Sequence, residues 1–322
     1  MSELPQRRLG ADGPSVSAVG LGCMSASWCY FLDPQEDSVS ERTLQRAVEL
    51  GVTHFDTAML YGRGHNEKLV GRALRNRPPE VLIASKCGLQ NRGFPRRKTS
   101  RDGRPESVRR HCDGSLARLG IEYLDLYYLH RVDPEVPVEE TFGELGQLVA
   151  EGKVRRLGIS ECTVEEIARA HATHPVSALQ SEFSLWTREP LNDVIPWCAV
   201  NGVSFVAFGV LGRGFLTGAL PAGQKFPDKD FRARNPRFQP DAMRANLAIV
   251  DDLRRVAERL GATPAQVCVA WVLAQGEHLL PIPGTKRTAC LEENLGGATL
   301  ALDAEALAEL DALPPAVGAR YP

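Results

Sequence analysis

A regular alternation of short apolar runs with helix-like segments most restricts the folds open to this chain. The runs are Val19–Gly22, His54–Asp56, Val81–Lys86, Leu124–His130, Val154–Ser160, Ala178–Gln180, Ser204–Phe208 and Leu279–Pro283. Such runs read as strands of a parallel sheet, whose crossover helices cover both faces. Between them, SVSERTLQRAVELG opens on Ser38 as a helix cap and stops at Gly51, and TVEEIARAHATH opens on Thr163 with acidic residues in its first turn. Thr263, Pro264 and the following AQVCVAWVLAQG repeat the pattern, with proline at the first helical position and Gly276 after the end. Eight such units without a Pro/Gly/Ser linker predict one closed (β/α)8 TIM barrel over residues 1–322 rather than two domains. Before them, RRLGADGPSVSAVGLG reads as an N-terminal β-hairpin that closes one end of the barrel.

Two connections are long and read as loops. Gly88–Pro105 carries Arg92, Arg96, Arg97, Lys98, Arg101 and Arg104, a solvated charged loop or an attractor for an anionic substrate or cofactor phosphate; Leu211–Gln239 is rich in Gly, Pro, Arg and Phe. Lys plus Arg number 38 against 40 Asp plus Glu, a net charge of -2, so no overall positive field draws the chain to nucleic acid or anionic lipid. A small diffusible partner is expected; the oligomeric state is not readable. The 8 cysteines are scattered without a CxxC pair, as suits reduced thiols in the cytosol. MSELPQRRLG lacks the apolar stretch of a signal peptide and no run is long enough to span a bilayer, so a soluble, cytoplasmic protein is expected.

Asp56, Tyr61, Lys86 and His130 each fall at, or just beyond, the end of an apolar run. The C-terminal strand ends form the working face of a barrel, and an acid, a phenol, an amine and an imidazole gathered there suit proton transfer to a carbonyl oxygen. The structural alternatives are a buried Asp56–Lys86 ion pair tying neighbouring strands and a core histidine at 130. Gly212–Gly218, GRGFLTG, has the wrong glycine spacing for a dinucleotide fingerprint and precedes no helix, which argues against a Rossmann domain. His54 and Asp56, even with His65 and His130, fall short of a metal site by ligand count, and no metal is expected. No G-x-S-x-G elbow is present.

Longer motifs carry a resemblance. FDTAMLYGRGHNEKLVGRAL, SKCG, RPESVRRHCDGSLARLGIEYLDLYYLHRVDP, PVEETFGELGQLVAEGKVRRLGIS, LQSEFSLWTRE, LGRGFLTG, DFRARNPRFQ and IPGTKR followed by LEENLG run in order along nearly the whole chain. In these the chain resembles the aldo-keto reductases, and is most similar to the bacterial and plant branch of general aldehyde and ketone reductases with Ser-Glu after the fifth strand. The resemblance implies a barrel with an extra C-terminal helix and a nicotinamide cofactor, usually NADPH with NADH the lesser alternative, held without a Rossmann fold. It places the catalytic tetrad on Asp56, Tyr61, Lys86 and His130, with Tyr61 giving a proton to the substrate oxygen as hydride reaches the carbonyl carbon. A neighbouring ammonium stabilises a phenolate, so Lys86 is expected to lower the Tyr61 pKa from about 10. Asp56 would hold Lys86, and His130 would orient the carbonyl.

The same resemblance implies cofactor contacts at Cys23 and Met24. It also assigns Ser160, Glu161 and Gln180 to the nicotinamide carboxamide, Phe208 to nicotinamide stacking, and Leu211, Gly212, Arg213 and Gly214 to the pyrophosphate. Gly284, Thr285, Lys286 and Arg287 match the adenosine end, with Glu293 and Asn294 near adenine. Lys286 and Arg287 favour a 2′-phosphate, although Cys290 stands where many NADPH-specific relatives have Arg. Trp28, Tyr30, Phe31, Phe94 and Trp186 are expected to form an aromatic substrate wall, with Trp28, Phe94 and Trp186 contacting substrate. The competing function is that of the similar potassium-channel β subunits, which sense the cofactor with little turnover.

Overall fold

The computed structural model describes residues 3–27, 29–30, 36–92, 98–221 and 223–321, so Trp28, Phe31 and Phe94 lie outside the described residues. The chain opens with β1 (Gln6–Arg8), β2 (Ser15–Ser17), β3 (Leu21–Gly22), α1 (Asp37–Glu49), β4 (His54–Asp56), α2 (His65–Ala73) and β5 (Leu82–Cys87). Then come β6 (Leu89–Arg92), β7 (Lys98–Arg101), α3 (Pro105–Leu119), β8 (Leu126–Leu129), α4 (Val138–Ala150), β9 (Leu157–Ser160) and α5 (Val164–Thr173). The last part holds β10 (Val176–Glu182), α6 (Val194–Val200), β11 (Ser204–Phe208), α7 (Pro240–Arg259), α8 (Pro264–Ala274), β12 (Leu279–Pro281), α9 (Thr288–Gly296) and α10 (Ala304–Asp311).

Eight strands pair in parallel in the order β12-β11-β10-β9-β8-β5-β4-β3. The sheet closes on itself where Gly20 N donates to Pro281 O at 2.9 Å and Gly22 bridges to Gly284. A side chain at Gly22 would meet Ile282 O at 2.8 Å, so glycine is what lets the first and last strands approach. All eight expected strands are present, and α10 is the extra C-terminal helix.

The hairpin of β1 and β2 plugs the N-terminal end of the barrel. Its Leu9 and Val16 join Leu82, Ala84, Leu126, Tyr128, Ala178, Val206, Leu280 and Ile282 in the interior. Ser204, the first residue of β11, accepts from Gly10 N (2.8 Å) and donates to Arg8 O (3.0 Å), while Ser17 N donates to Thr53 Oγ1 (2.7 Å) just ahead of β4. The opposite end is left for chemistry. Because side chains alternate faces along a strand, Lys86 follows Leu82 and Ala84 inward, His130 follows Leu126 and Tyr128, and Gln180 follows Ala178. Asp56 pairs in register with Ala84 and so shares the interior face.

Local sequence explains most helix starts. Thr163 and Thr263 form capping boxes with Glu166 and Gln266, each side chain satisfying the other residue's N–H. Two expectations need correcting. Helix α1 begins at Asp37, with Glu36 as its flanking residue, so Ser38 sits inside the first turn and caps nothing. Among the described residues, the basic segment after Gly88 includes two antiparallel strands, β6 against β7 with Gln90 opposite Ser100, where loop was expected. The later long connection is short 3₁₀ turns at Gly212–Gly214, Phe231–Arg234 and Pro236–Phe238, leading into α7. Among the described residues no helix is long and apolar enough to cross a membrane.

Candidate active site

Lys86 and Asp56 are both buried at the C-terminal end of the barrel and form an ion pair through Nζ and Oδ1. Lys86 Nζ also donates to Thr57 O at 2.9 Å, and Gln180 Nε2 donates to Asp56 Oδ2 at 2.8 Å. The carboxylate is therefore bonded on both oxygens. Fixed this way, it holds the ammonium's position without relying on solvent.

Tyr61 reaches the pair because the chain turns sharply after β4. Its N–H donates to Ala58 O (3.1 Å), and Gly62, Arg63 and Gly64 all take positive φ, so a residue five beyond Asp56 folds back over it. Lys86 Nζ lies 5.1 Å from the Tyr61 ring centroid, and the His130 ring meets Tyr61 edge-on at 6.0 Å and 85°. The four side chains expected at the strand ends are thus in one cluster.

The electrostatics differ from the expectation for Tyr61. Burial, reinforced by Asp56 and Cys29, pushes the phenol well above its ordinary pKa of 10. The net shift is upward although the Lys86 ammonium lies 5.1 Å from the ring centroid, because burial dominates and that ammonium is also bonded to Asp56 and Thr57 O. Burial presses Lys86 below its usual value against the opposing pull of Asp56. Burial, with the charges of Lys86 and Arg131, carries His130 well below 6.5 and keeps the imidazole neutral. A neutral phenol, a neutral imidazole and a compensated ammonium suit donation of a proton to a polarised oxygen.

Around this cluster lie groups of the kind a nicotinamide amide needs. Ser160 Oγ accepts from Arg131 Nη1 at 3.2 Å, which leaves its own proton to donate. Gln180, committed through Nε2 to Asp56, still offers its carbonyl oxygen as acceptor. Phe208 ends β11 half-buried against the barrel interior. Glu161 is turned elsewhere: its Oε1 accepts from Glu182 N (2.8 Å) and Arg320 Nη2 (2.6 Å). Cys23 N donates to Asp56 O (2.8 Å), and Met24 packs on the small cluster of Ala58, Leu60, Tyr61 and Leu89.

In the turn after β11, Gly212 N and Gly214 N close on Gly209 O (2.8 Å) and Leu211 O (2.9 Å). Arg213 swings to Glu182 (2.7 Å) and lies over Phe231 at 4.6 Å. Trp186 does not form an open wall: it is buried, stacked on Phe215 at 5.1 Å and under Arg237 at 5.2 Å. Gly212 at φ 55 makes that possible, since a Cβ there would fall 2.8 Å from the indole. Tyr30 is half-buried with Arg232 4.8 Å above its ring.

Beyond the Gly22–Gly284 bridge, Gly284, Thr285, Lys286 and Arg287 lead into α9, with Arg287 exposed at its N-terminal flank and Cys290, Glu293 and Asn294 in its first turns. Thr285 Oγ1 accepts Arg287 N (3.1 Å), and Thr43 Oγ1 donates to Lys286 O (3.0 Å), fixing the turn. A helix N-terminus with two adjacent cationic side chains fits a phosphate. His54 is a fully buried barrel residue held neutral, its pKa lowered by burial to about 4. Among the described residues no group of three or more His, Cys, Asp or Glu could hold a metal.

Sequence reasoning passed over Glu182 and Arg131, which lie inside the quoted motifs, and Arg320, which lies beyond them, and it missed the Gln180–Asp56 bond. Glu182 follows the polar residues Gln180 and Ser181 at the end of β10, so its spacing gives no hint that it is a buried, partnered charge.

A plugged barrel with a compensated buried lysine, a protonated phenol and a neutral imidazole at its open end defines an enzyme of carbonyl acid–base chemistry. The chain belongs to the aldo/keto reductase family, whose model matches residues 18–314, and it is thus an oxidoreductase of carbonyl compounds. It is 43% identical over 98% of its length to a probable aldo-keto reductase 1 of Glycine max, covering 91% of that protein. It is 39% identical to the NADP(+) aldo-keto reductase yakc of Schizosaccharomyces pombe, over 99% of this chain and 95% of that one. Among solved structures, a glycerol dehydrogenase of Gluconobacter oxydans superposes with a TM-score of 0.87 at 30% identity, over 95% and 94% of the two chains.

Proposed function

We propose that the chain reduces an aldehyde or ketone to an alcohol with NADPH, Tyr61 being the proton donor. The single observation that carries this reading is the convergence of Tyr61 and His130 over the buried Asp56–Lys86 pair. When bound, NADPH supplies the hydride. Neutral His130 hydrogen-bonds the substrate oxygen and orients the carbonyl, and Tyr61 gives up its phenolic proton as negative charge develops on that oxygen. Lys86 stabilises the phenolate left behind, and Asp56 with Gln180 holds Lys86 in place.

Ser160 and Gln180 would hold the carboxamide through a hydroxyl donor and a carbonyl acceptor, Phe208 would offer a ring face, and the Leu211–Gly214 turn would serve the pyrophosphate. Lys286 and Arg287 would hold the 2′-phosphate, and Glu293 and Asn294 would serve the adenine end. The relative of Schizosaccharomyces pombe carries NADP(+) in its name, which supports the choice of cofactor. Purified protein offered a panel of aromatic, aliphatic and sugar carbonyls is expected to consume NADPH at least ~10-fold faster than NADH, the loss of a charge-assisted phosphate contact being worth about that much. Tight NADPH binding with negligible turnover on every carbonyl would instead indicate a cofactor-sensing protein.

The pH profile follows from the shifts. Tyr61 is raised and stays protonated, and His130 is lowered and stays neutral, so single-turnover reduction should be flat between roughly pH 6 and pH 9. Alcohol oxidation needs the phenolate and should accelerate about tenfold per pH unit over that window. A reduction rate that falls tenfold between pH 6 and 8 would rule out a protonated Tyr61 as the donor.

A further inference from the structure

Four charged side chains from distant parts of the chain form a ring at the C-terminal ends of β9 and β10. Arg213 Nη2 donates to Glu182 Oε2 (2.7 Å), Arg320 Nε donates to the same oxygen (3.1 Å), and Arg320 Nη2 donates to Glu161 Oε1 (2.6 Å). The ring is completed by Glu182 N, which donates to Glu161 Oε1 at 2.8 Å. Charges balance two against two, and the setting is dry enough for that to matter: side-chain exposure is 2% for Glu182, 9% for Arg213, 13% for Glu161 and 27% for Arg320.

Arg320 is itself held. Asn235 Nδ2 donates to Arg320 O (2.9 Å), Arg237 Nε to Gly318 O (3.3 Å), and Asn246 exchanges two bonds with Val317 (3.0 and 2.8 Å). The guanidinium is therefore presented from a tied-down tail. What it grips is strained: Glu161 has φ 54, a left-handed conformation that a non-glycine residue keeps only where its surroundings fix it. Glu161 N donates to Gln180 O (3.0 Å), so its backbone is tied to the strand that carries Gln180, and Ser160 directly precedes it.

We infer that Arg320 is a positioning residue of the nicotinamide subsite, a C-terminal clamp that fixes Glu161 and so keeps the adjoining Ser160 hydroxyl in binding geometry. The inference rests on the cofactor assignment proposed above. Without Arg320 the ring holds two carboxylates against one arginine, Glu161 loses the contact that offsets its strain, and the end of β9 relaxes.

The test is binding without turnover, read by tryptophan fluorescence on the full chain at physiological salt, where charges beyond about 8 Å are screened. NADPH is compared with adenosine 2′,5′-bisphosphate, which shares the adenosine end and has no nicotinamide. Arg320→Gln should weaken NADPH about tenfold and leave the bisphosphate within about twofold, and Arg320→Lys, which keeps the charge but not the planar fork, should recover part of the loss. Thermal unfolding of each chain checks that it folds; if Arg320→Gln does not, the same split at about threefold in Arg320→Lys supports the clamp. Equal weakening of both probes, or unchanged NADPH affinity, overturns it. Failure of the unsubstituted chain to bind NADPH would instead overturn the cofactor assignment, and the clamp with it.

Discussion

Tyr61→Phe is expected to slow carbonyl reduction by roughly a hundred- to ten-thousand-fold, the usual worth of a positioned general acid. The ring stays, so the edge contact with His130 and the packing of Met24, Ala58, Leu60 and Leu89 around it survive. Only the hydroxyl is lost. Affinity for NADPH should stay within about twofold, because the phenol serves the substrate oxygen and contributes no binding to the cofactor. Steady-state rates with a good aldehyde, set beside fluorescence titration of the cofactor, separate the two. A variant that keeps near-native turnover would remove Tyr61 from the role of acid.

Lys86→Met should be the most damaging substitution for folding as well as for chemistry. Lys86 is fully buried and Asp56 is 2% exposed, so the carboxylate would keep Gln180 Nε2 as a donor but lose its counter-charge. Breaking a buried pair from one side typically costs about 3–5 kcal/mol, whereas removing both charges together costs much less. Urea unfolding should therefore show a large loss of stability for Lys86→Met and substantial recovery when Asp56→Asn is added. Reduction should recover in neither, since both chains lack the ammonium that stabilises the Tyr61 phenolate. Recovery of activity in the double variant would reduce the pair to a structural tie between β4 and β5.

Much of this was legible in the sequence. The strands His54–Asp56 and Ser204–Phe208 end where their apolar runs end, and the alternation of faces turns a list of terminal residues into a cluster on the barrel axis. The strand pair of β6 and β7 was hidden because antiparallel pairing depends on which residues meet across strands, and its charged composition reads locally as loop. Helix α7 carries buried apolar residues at helical spacing, Met243, Ile249, Val250, Leu253 and Val256, yet it follows an irregular stretch that blurs its start.

Electrostatics were the least legible part. The direction of the Tyr61 shift depends on how deeply the ring is buried and on where the Lys86 ammonium points, and neither has a signature in residue spacing. Arg320 and Glu182 lie 138 residues apart in the chain, so only the folded structure could bring them together. The assigned site residues were recognisable by motif, while the bonds that hold them in place were not.

The most direct measurement of the central claim is the fate of a labelled hydride. NADPH carrying deuterium at the transferable position of its nicotinamide ring, incubated with the protein and an aldehyde it consumes, should give an alcohol with one deuterium on the carbinol carbon by NMR. The hydroxyl proton should come from solvent through Tyr61, and Tyr61→Phe should form the same labelled product at a rate lower by roughly a hundredfold or more. An alcohol free of deuterium, or no alcohol from any carbonyl while NADPH stays bound, would contradict hydride transfer at this site.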